Sequence, residues 1–236
     1  MNNQFRKKAV FNWSGGKDSA LALYKVLQNP AYEVVSLLTT VNSENHRSSI
    51  HGIPIELLQA QAESIGIPLY VVEIPAESNT QQYGEAMQPV VEYFKESGVR
   101  HFIFGDIFLH DIRSYREEKL SPYGIEVVEP LWNQTSPEVM KEFLKSGLRT
   151  IIITTAADKL TSDFIGRVID AEFVNDLPEG VDICGENGEY HTFCFDGPIF
   201  RQPIPFSLGD PFLVSHTIRM EEGQQKIFSY WHAPIK

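Results

Sequence analysis

The chain has 236 residues, of which 42% are hydrophobic and 22% are charged, a balance typical of globular proteins that excludes a mainly disordered chain. The formal net charge of −11 disfavours a nucleic acid as partner, because a phosphate backbone is bound by clustered lysine and arginine. Two cysteines are too few for a disulfide framework. With a polar N-terminus and no apolar stretch long enough to span a bilayer, we expect a cytoplasmic protein without membrane contact.

The first half of the chain alternates between predicted strands and predicted helices that are joined by short connections. The predicted strands are 7–13, 33–41, 68–74, 101–106 and 126–132. The predicted helices are 20–28, 53–65, 80–97 and 111–121. Runs of Val, Ile, Leu and Phe without polar alternation are typical of strands covered on both faces. The pattern therefore predicts an α/β fold with a doubly wound parallel sheet.

The pattern changes after Trp132. A helix near 136–146 and a strand at 149–155 still follow, but the remainder is rich in glycine, proline and aspartate and predicts short strands and turns. We therefore predict two domains, a parallel α/β domain of residues 1–132 and a smaller C-terminal α+β domain of residues 133–236.

The loop between the first predicted strand and the first predicted helix has the sequence S-G-G-K-D-S. Its residues are Ser14, Gly15, Gly16, Lys17, Asp18 and Ser19. Two glycines let the backbone approach a ligand closely, and the first N–H groups of the following helix attract an anion. Lys17 adds a positive charge for a polyphosphate, whereas Asp18 suits either helix capping or a Mg²⁺ ion held against the phosphates. We interpret these six residues as a nucleotide-binding phosphate loop.

A second motif occupies residues 182–198 and reads D-I-C-G-E-N-G-E-Y-H-T-F-C-F-D-G-P. Its glycines disfavour a regular helix, so we predict a loop that brings polar side chains into a compact area. Clustered carboxylates raise one another's pKa, which makes Glu186, Glu189 and His191 candidates for proton transfer or cation binding. The alternative is a polar surface loop with turn glycines.

The cysteines of the second motif indicate no separate chemistry. Cys184, His191 and Cys194 offer three mixed ligands for zinc, but structural zinc sites usually contain a C-x-x-C pair, which is missing here. A catalytic thiol is an equally weak alternative.

The two motifs together resemble a known family. The S-G-G-K-D-S loop is similar to the S-G-G-x-D-S loop of the PP-loop ATP pyrophosphatase superfamily. The stretch C-G-E-N-G-E-Y-H-T followed by D-G-P resembles the hallmark of the diphthine–ammonia ligase family, and the similarity covers about residues 8–200. The resemblance implies an adenine nucleotide alpha hydrolase-like fold and an ATP-dependent ligase. Such an enzyme adenylates a carboxylate and amidates it with ammonia, releasing AMP and pyrophosphate.

The resemblance also implies the small molecules that the chain would bind. We expect ATP, Mg²⁺ and ammonium, together with a carboxylate acceptor that is either a protein side chain or a small molecule. The sequence leaves open whether the chain forms a homodimer.

The motifs and the resemblance together predict three groups of site residues. For the nucleotide we expect the phosphate loop with Gly105 and Asp106, which end the fourth predicted strand, and for Mg²⁺ we expect Asp18. For catalysis we expect Lys17, Glu186, Glu189 and His191. For the substrate we expect His51, Arg113, Arg116, Glu117, Asn187, Thr192 and Asp196.

Several of these residues have a structural alternative. Asp106 could cap the following helix instead of contacting a nucleotide or Mg²⁺. Arg113, Arg116 and Glu117 have the spacing of ion pairs on a solvated helix face. His51 could be an ordinary loop histidine.

Two segments depart from the pattern of archaeal and eukaryotic members, which tend to carry Y-Q-x-x-R-V-E after the fourth strand. Residues 111–118 read D-I-R-S-Y-R-E-E, and residues 46–52 read H-R-S-S-I-H-G. Both versions resemble the bacterial branch of the family. Because bacteria do not make diphthamide, this departure leaves the acceptor open even where the adenylation chemistry is retained.

Two other functions remain as alternatives. The first is tRNA modification, as in other PP-loop relatives, against which the net charge speaks. The second is a sensor that binds an adenine nucleotide without turnover, since binding loops survive the loss of catalysis.

Overall fold

The computed structural model describes residues 6–48, 51–76, 78–219 and 225–236. Residues 49 and 50 of the H-R-S-S-I-H-G segment and residues 1–5 of the polar N-terminus lie outside these ranges. The strands are β1 Lys7–Asn12, β2 Tyr32–Asn42, β3 Leu69–Ile74, β4 His101–Ile103, β5 Glu126–Val128, β6 Arg149–Ala156, β7 Tyr190–Asp196, β8 Phe212–Arg219 and β9 Gln225–His232. The helices are α1 Lys17–Leu27, α2 Ile55–Ile65, α3 Thr80–Glu96, α4 His110–Leu120, α5 Ser136–Ser146 and α6 Ala171–Asp176.

The first five strands form a parallel sheet with the order β3-β2-β1-β4-β5. Each strand is followed by a helix that returns the chain to the start of the next strand, as parallel pairing requires. The strand order reverses between β1 and β4, and ligands bind at such a switch point in open α/β sheets. The predicted doubly wound sheet is therefore confirmed.

Two apolar clusters cover the faces of this sheet. One cluster joins Phe11 of β1 and Leu21 of α1 to α2, α5, β6 and β7, including Phe193. The other joins Phe102 of β4 to α3, including Phe94. Because the first cluster continues from the parallel sheet into the C-terminal half, the two halves share one core. The domain boundary near 133 stays a prediction.

The C-terminal half contains an antiparallel sheet with the order β7-β6-β9-β8. The predicted smaller α+β region is therefore confirmed. One part of its prediction is wrong, because residues 190–196 form strand β7 and the loop of the second motif ends at Glu189. Phe193 is buried and lies opposite Ile151 of β6, so sheet pairing determines this segment.

The fourth and fifth strands are shorter than predicted. Strand β4 ends at Ile103, and β5 ends at Val128. Proline cannot donate to a strand ladder, and after Pro130 the chain turns, with the Trp132 amide donating to the Glu129 carbonyl at 3.1 Å. The early ends leave Asp106 and Glu129 beyond the sheet, on its carboxyl side. Within the described ranges, none of the helices combines the length and apolar character that a bilayer crossing requires.

Candidate active site

The phosphate loop leaves β1 and enters α1, and backbone hydrogen bonds fix its path. The carbonyl of Gly15 accepts from the Cys194 amide at 2.8 Å and from the side-chain amide of Gln61 at 3.0 Å. The Lys17 amide donates to the Thr192 hydroxyl oxygen at 2.8 Å. The loop is therefore held between α2 and β7, which come from opposite halves of the chain.

Three glycines make this arrangement sterically possible. Gly15 has a φ of +81°, and a Cβ atom there would lie 2.9 Å from the Gln61 side-chain oxygen. A Cβ atom at Gly16 would lie 3.1 Å from the Thr192 carbonyl oxygen. A Cβ atom at Gly105, which follows β4, would lie 3.0 Å from the Cα of Ser19. Close approach of the backbone at the switch point thus depends on glycine.

Lys17 is a buried cation at the start of α1. Its side chain is 1% exposed, and its ammonium group contacts the Asp18 carboxylate. Burial lowers the pKa of Lys17, but Asp18, Cys184 and Glu186 raise it by more, so that the pKa lies above its ordinary value. Lys17 therefore keeps its charge at neutral pH in a place where a polyphosphate could use it.

The phosphate loop and the second motif line one cleft of about 1780 Å³ at the carboxyl ends of the parallel strands. The predicted site residues that line the cleft are Ser14, Lys17, Asp18, Ser19, His51, Gly105, Asp106, Arg116, Glu186, His191 and Thr192. The predicted site residues outside its lining are Gly15, Gly16, Arg113, Glu117, Asn187, Glu189 and Asp196. Two motifs that are far apart in sequence thus meet at the switch point.

Glu186 faces this cleft close to the charges of the phosphate loop. Burial raises the pKa of Glu186 to about 8, and the Asp18 carboxylate contributes to the rise while Lys17 opposes it. A carboxyl group with such a pKa exchanges its proton near neutral pH. Glu186 is therefore suited to proton transfer beside a bound polyphosphate.

His51 and His191 lie edge to face, with ring centroids 4.9 Å apart. Burial and the neighbouring His191 together lower the pKa of His51 to about 3. Burial and the neighbouring His232 lower the pKa of His191 to about 4. Both imidazoles are therefore neutral at pH 7. Neutral rings can accept a hydrogen bond or donate one, but they add no positive charge to the cleft.

Glu189 points into its own loop instead of the cleft. Its side chain is 2% exposed, and its carboxylate accepts hydrogen bonds from the Asp182 amide at 3.0 Å and the Asn187 amide at 2.9 Å. The Asn187 side chain also donates to it at 3.1 Å. Glu189 and Asn187 therefore shape the loop that presents Glu186, and their positions give them no contact with the cleft.

A cluster of charges joins α4 to the ends of β4 and β5. Arg116 contacts the Asp106 carboxylate and lies 3.4 Å from Glu129, and its guanidinium stacks on Phe104 at 3.9 Å. Arg113 lies 3.3 Å from Glu129. The Glu129 side chain is fully buried, and burial raises its pKa to about 6, with Asp106 adding to the rise. Arg116 alone of the two arginines reaches the cleft.

Arg113 and Glu117 form an ion pair at 2.8 Å across one helical turn, which is the structural alternative named for them. Asp196 lies at the far end of β7, where its carboxylate accepts from the Gly197 amide at 2.8 Å and lies 3.4 Å from Arg149. These three side chains thus bind partners within the protein and do not line the cleft.

The two thiols are buried and unreactive. The Cys184 thiol donates to the Ser136 carbonyl at 3.2 Å, and burial raises its pKa to about 12. Burial also raises the pKa of Cys194 above its ordinary range. A thiolate is the form that attacks electrophiles or binds zinc, so neither alternative gains support.

The donor groups of the cleft fit Mg²⁺ that arrives with a nucleotide. Among the described residues no group of three His, Cys, Asp or Glu side chains is arranged to hold a metal ion. Mg²⁺ typically combines one or two carboxylates with substrate phosphates, and Asp18 and Asp106 offer such carboxylates at the phosphate loop.

The sequence analysis missed two residues, one that lines the cleft and one beside it. Arg47 lines the cleft from the loop after β2, and Glu129 anchors the arginines of α4. Both follow the carboxyl end of a parallel strand, which is the position that identified Asp106. The same rule, applied to every strand, would have found them.

Similar known proteins cover most of the chain. The Diphthine–ammonia ligase of Homo sapiens is 27% identical to it over 215 residues, which are 81% of this chain and 79% of the relative. The Diphthine–ammonia ligase of Danio rerio is 27% identical over 214 residues, which are 81% of this chain and 83% of the relative. The U34-tRNA thiolase NcsA from Methanococcus maripaludis matches 59% of this chain and 58% of its own at 17% identity, with a TM-score of 0.39, which is too low to carry an argument.

Family models match both halves of the chain. The model described as diphthamide synthase N-terminal domain matches residues 7–125, and the model described as diphthamide synthase C-terminal domain matches residues 135–214. The assignment to the bacterial branch stays a prediction. Because the matched segments span most of the chain and contain both motifs, the resemblance is confirmed, and the chain belongs to the diphthamide synthase family.

Proposed function

We propose that the chain is an ATP-dependent ligase that converts a carboxylate into an amide. In the first step a carboxylate oxygen of the acceptor attacks the α-phosphorus of ATP, which forms an acyl-adenylate and releases pyrophosphate. In the second step ammonia attacks the acyl carbon, the C–O bond to AMP breaks, and one proton leaves the nitrogen. The named relatives support this proposal, since they are diphthine–ammonia ligases.

The observation that carries the proposal is the meeting of two unlike groups in one cleft. Lys17 supplies a fixed positive charge, and Glu186 supplies a carboxyl group whose pKa is raised to about 8. A carboxyl group with such a pKa is suited to the proton transfer that amide formation from ammonium requires. We assign Lys17 and the amides of the phosphate loop to the outer phosphates of ATP, where they stabilise the departing pyrophosphate.

Among the predicted bases we favour Glu186. Ammonium must lose a proton before its nitrogen can attack, and a base works best when its pKa lies near the working pH. The lowered pKa of His191 makes it a weak base, and Glu189 is occupied by amides of its own loop. We therefore assign Glu186 to proton transfer, His191 and His51 to acceptor positioning, and Glu189 to positioning of the loop.

The remaining assignments follow from the same chemistry. We propose that Asp18 or Asp106 would hold Mg²⁺ brought by ATP, where the ion would neutralise phosphate charge, and that Arg116 and Thr192 contact the substrates from the walls of the cleft. A cytoplasmic location would give access to ATP and ammonium. The acceptor is identified here only as a carboxylate that reaches the cleft.

A product analysis tests the proposal. Purified protein is incubated with ATP, MgCl₂, ammonium chloride and a panel of small and peptide carboxylates, and the nucleotides are separated by ion-exchange chromatography. We expect AMP and pyrophosphate in equal amounts, and mass spectrometry should find the amide of the accepted carboxylate. ADP and phosphate as products would refute the proposal, and tight ATP binding without any product would favour a sensor.

Replacement of Glu186 by Gln tests the assignment of the base. With saturating substrates, we expect the wild-type rate to rise with pH up to about 8, because Glu186 acts in its deprotonated form. Glu186→Gln should lower the rate about 100-fold and abolish this rise. Glu179→Gln is the control, because Glu179 is exposed and lies outside the cleft lining, and it should keep the pH profile. An unchanged profile in Glu186→Gln would assign the base elsewhere.

A further inference from the structure

Among the described residues, one of the basic side chains that line the cleft has no carboxylate partner. The basic residues that line the cleft are Lys17, Arg47, Arg116 and Lys119. Lys17 contacts Asp18, Arg116 contacts Asp106, and Lys119 lies 3.5 Å from Glu118. Arg47 has no carboxylate within ion-pair distance among residues 6–48, 51–76, 78–219 and 225–236. An arginine that faces a cleft without a protein carboxylate is available to an anionic ligand.

Arg47 is held in place by the loop that carries it. Its guanidinium donates to the Gly52 carbonyl at 2.7 Å, its backbone amide donates to the Asn45 side-chain oxygen at 3.0 Å, and its carbonyl accepts from the Asn42 amide at 2.8 Å. It also forms a bridge with Pro54. The single guanidinium bond orients the group and leaves its other N–H donors for a ligand.

The same loop contacts the phosphate loop. A Cβ atom at Gly16 would lie 3.2 Å from the His51 imidazole, and a Cβ atom at Gly15 would lie 3.0 Å from the Ile53 side chain. Gly52, which accepts from Arg47, stands between these two residues in the chain. Arg47 is thus anchored to a segment that touches the phosphate loop on one side and His191 on the other.

We propose that Arg47 is a second anion-binding point of the cleft, which binds a phosphate or a carboxylate oxygen of a substrate beside the phosphate loop. A guanidinium matches both groups because each presents two oxygens to its parallel N–H donors. The ligand is either the polyphosphate of ATP or a carboxylate of the acceptor. The inference rests on the cleft being the substrate site of the proposed ligase, but it concerns binding and needs no turnover.

Binding measurements on Arg47→Gln and Arg47→Lys test this site and distinguish the two sources. One titration uses inorganic pyrophosphate, and the other uses succinate in the presence of saturating AMP, both by isothermal titration calorimetry. For Arg47→Gln we expect a Kd raised at least about tenfold in one titration, because a hydrogen bond to a charged group is lost. A change with pyrophosphate identifies the phosphate source, and a change with succinate identifies the carboxylate source.

Arg201→Gln is the matched control, since Arg201 is exposed and lies outside the cleft lining. The inference is overturned if Arg47→Gln alters neither titration by more than twofold, if wild-type protein binds neither probe, or if Arg201→Gln weakens binding equally. Should Arg47→Gln fail to fold, Arg47→Lys decides, because it keeps the charge but loses the paired donors and should weaken binding about threefold. The product analysis is independent of these results, so ADP formation with intact Arg47-dependent binding would refute the ligase alone.

Discussion

The phosphate loop and helix α4 both line the cleft, but different forces hold them. The loop is fixed by backbone hydrogen bonds to Gln61, Thr192 and Cys194, and its surroundings are fully buried apolar side chains. In α4 the only buried residue is Leu120, and the helix is attached through Arg113 and Arg116 to carboxylates at the ends of β4 and β5.

This difference predicts different responses to conditions. Buried backbone hydrogen bonds depend little on pH or salt, so the loop should keep its geometry over a wide range. Exposed and half-buried ion pairs weaken with ionic strength, and the pKa of Glu129 is raised to about 6, so the charge of this cluster changes close to neutral pH. We therefore call the phosphate loop the rigid wall of the cleft, because its geometry should not depend on pH or salt. We call helix α4 the adjustable wall, because its attachment should depend on both.

Removal of Lys17 should have the largest effect, because it takes the fixed charge out of the rigid wall. Lys17→Ala should lower the rate of AMP formation about 100- to 1000-fold, the usual loss when a group that stabilises developing charge is removed. Lys25→Ala is the control, since Lys25 sits on the same helix but forms a surface pair with Glu142. Nucleotide chromatography measures the rate of AMP formation. Equal rates for Lys17→Ala and wild type would show that Lys17 has no part in the reaction.

Alanine at two glycines should change stability in opposite directions. Gly15→Ala should lower the free energy of unfolding by about 2–4 kcal/mol, because a positive φ and a contact at 2.9 Å both oppose a Cβ atom. Gly84→Ala should raise it by about 0.5–1 kcal/mol, since Gly84 lies inside α3 with open space around it. Urea denaturation followed by circular dichroism measures both, and a stabilising Gly15→Ala would contradict the loop geometry.

Glu129→Gln should reveal the pH dependence of the adjustable wall. The pKa of Glu129 is raised from 4.5 to about 6, so the folded chain binds this proton more tightly than the unfolded chain does. Its contribution to the free energy of unfolding therefore falls as the pH rises from about 4.5 to about 6, by up to about 2 kcal/mol.

The variant lacks this titration, so the difference in unfolding free energy between wild type and Glu129→Gln should fall across the same pH window. Denaturant titrations at a series of pH values would measure that difference directly. A difference that stays constant between pH 4.5 and 7 would show that Glu129 keeps an ordinary pKa and that the cluster is better hydrated.

Glu117→Gln should have the smallest effect. The Arg113–Glu117 pair spans one helical turn at the surface, and such pairs contribute about 0.3–0.5 kcal/mol. We expect a loss of this size at low salt and almost none at 1 M NaCl, because salt screens exposed charges. A loss above about 1.5 kcal/mol would mean that Glu117 supports Arg113 within the buried cluster as well.

The sequence predicted the parallel sheet and the position of the glycine-containing loop between β1 and α1 well, because both depend on local patterns. Buried strands are continuous apolar runs, and the two glycines of the loop follow β1 directly. The partners of the loop could not be predicted in this way. Thr192 binds the Lys17 amide across 175 residues of chain, a contact that only the packing of β7 against α1 produces.

The second motif shows the same limit at shorter range. Glu186 and Glu189 look equivalent in sequence, since each lies beside a glycine in a polar stretch. Their side chains nevertheless differ: Glu186 lines the cleft, whereas Glu189 accepts hydrogen bonds from the Asp182 and Asn187 amides of its own loop. Composition identifies such a loop, but the hydrogen-bond partners of each carboxylate depend on how the loop folds.

The hydrogen bonds from β7 to the phosphate loop have a consequence for the order in which the protein is made. A nascent chain that ends before Tyr190 already contains every strand of the parallel sheet, but it lacks Thr192 and Cys194. In such a chain the Lys17 amide and the Gly15 carbonyl of the phosphate loop would lack their hydrogen-bond partners from β7. The phosphate loop therefore gains these two partners only after residues 190–196 have been synthesised.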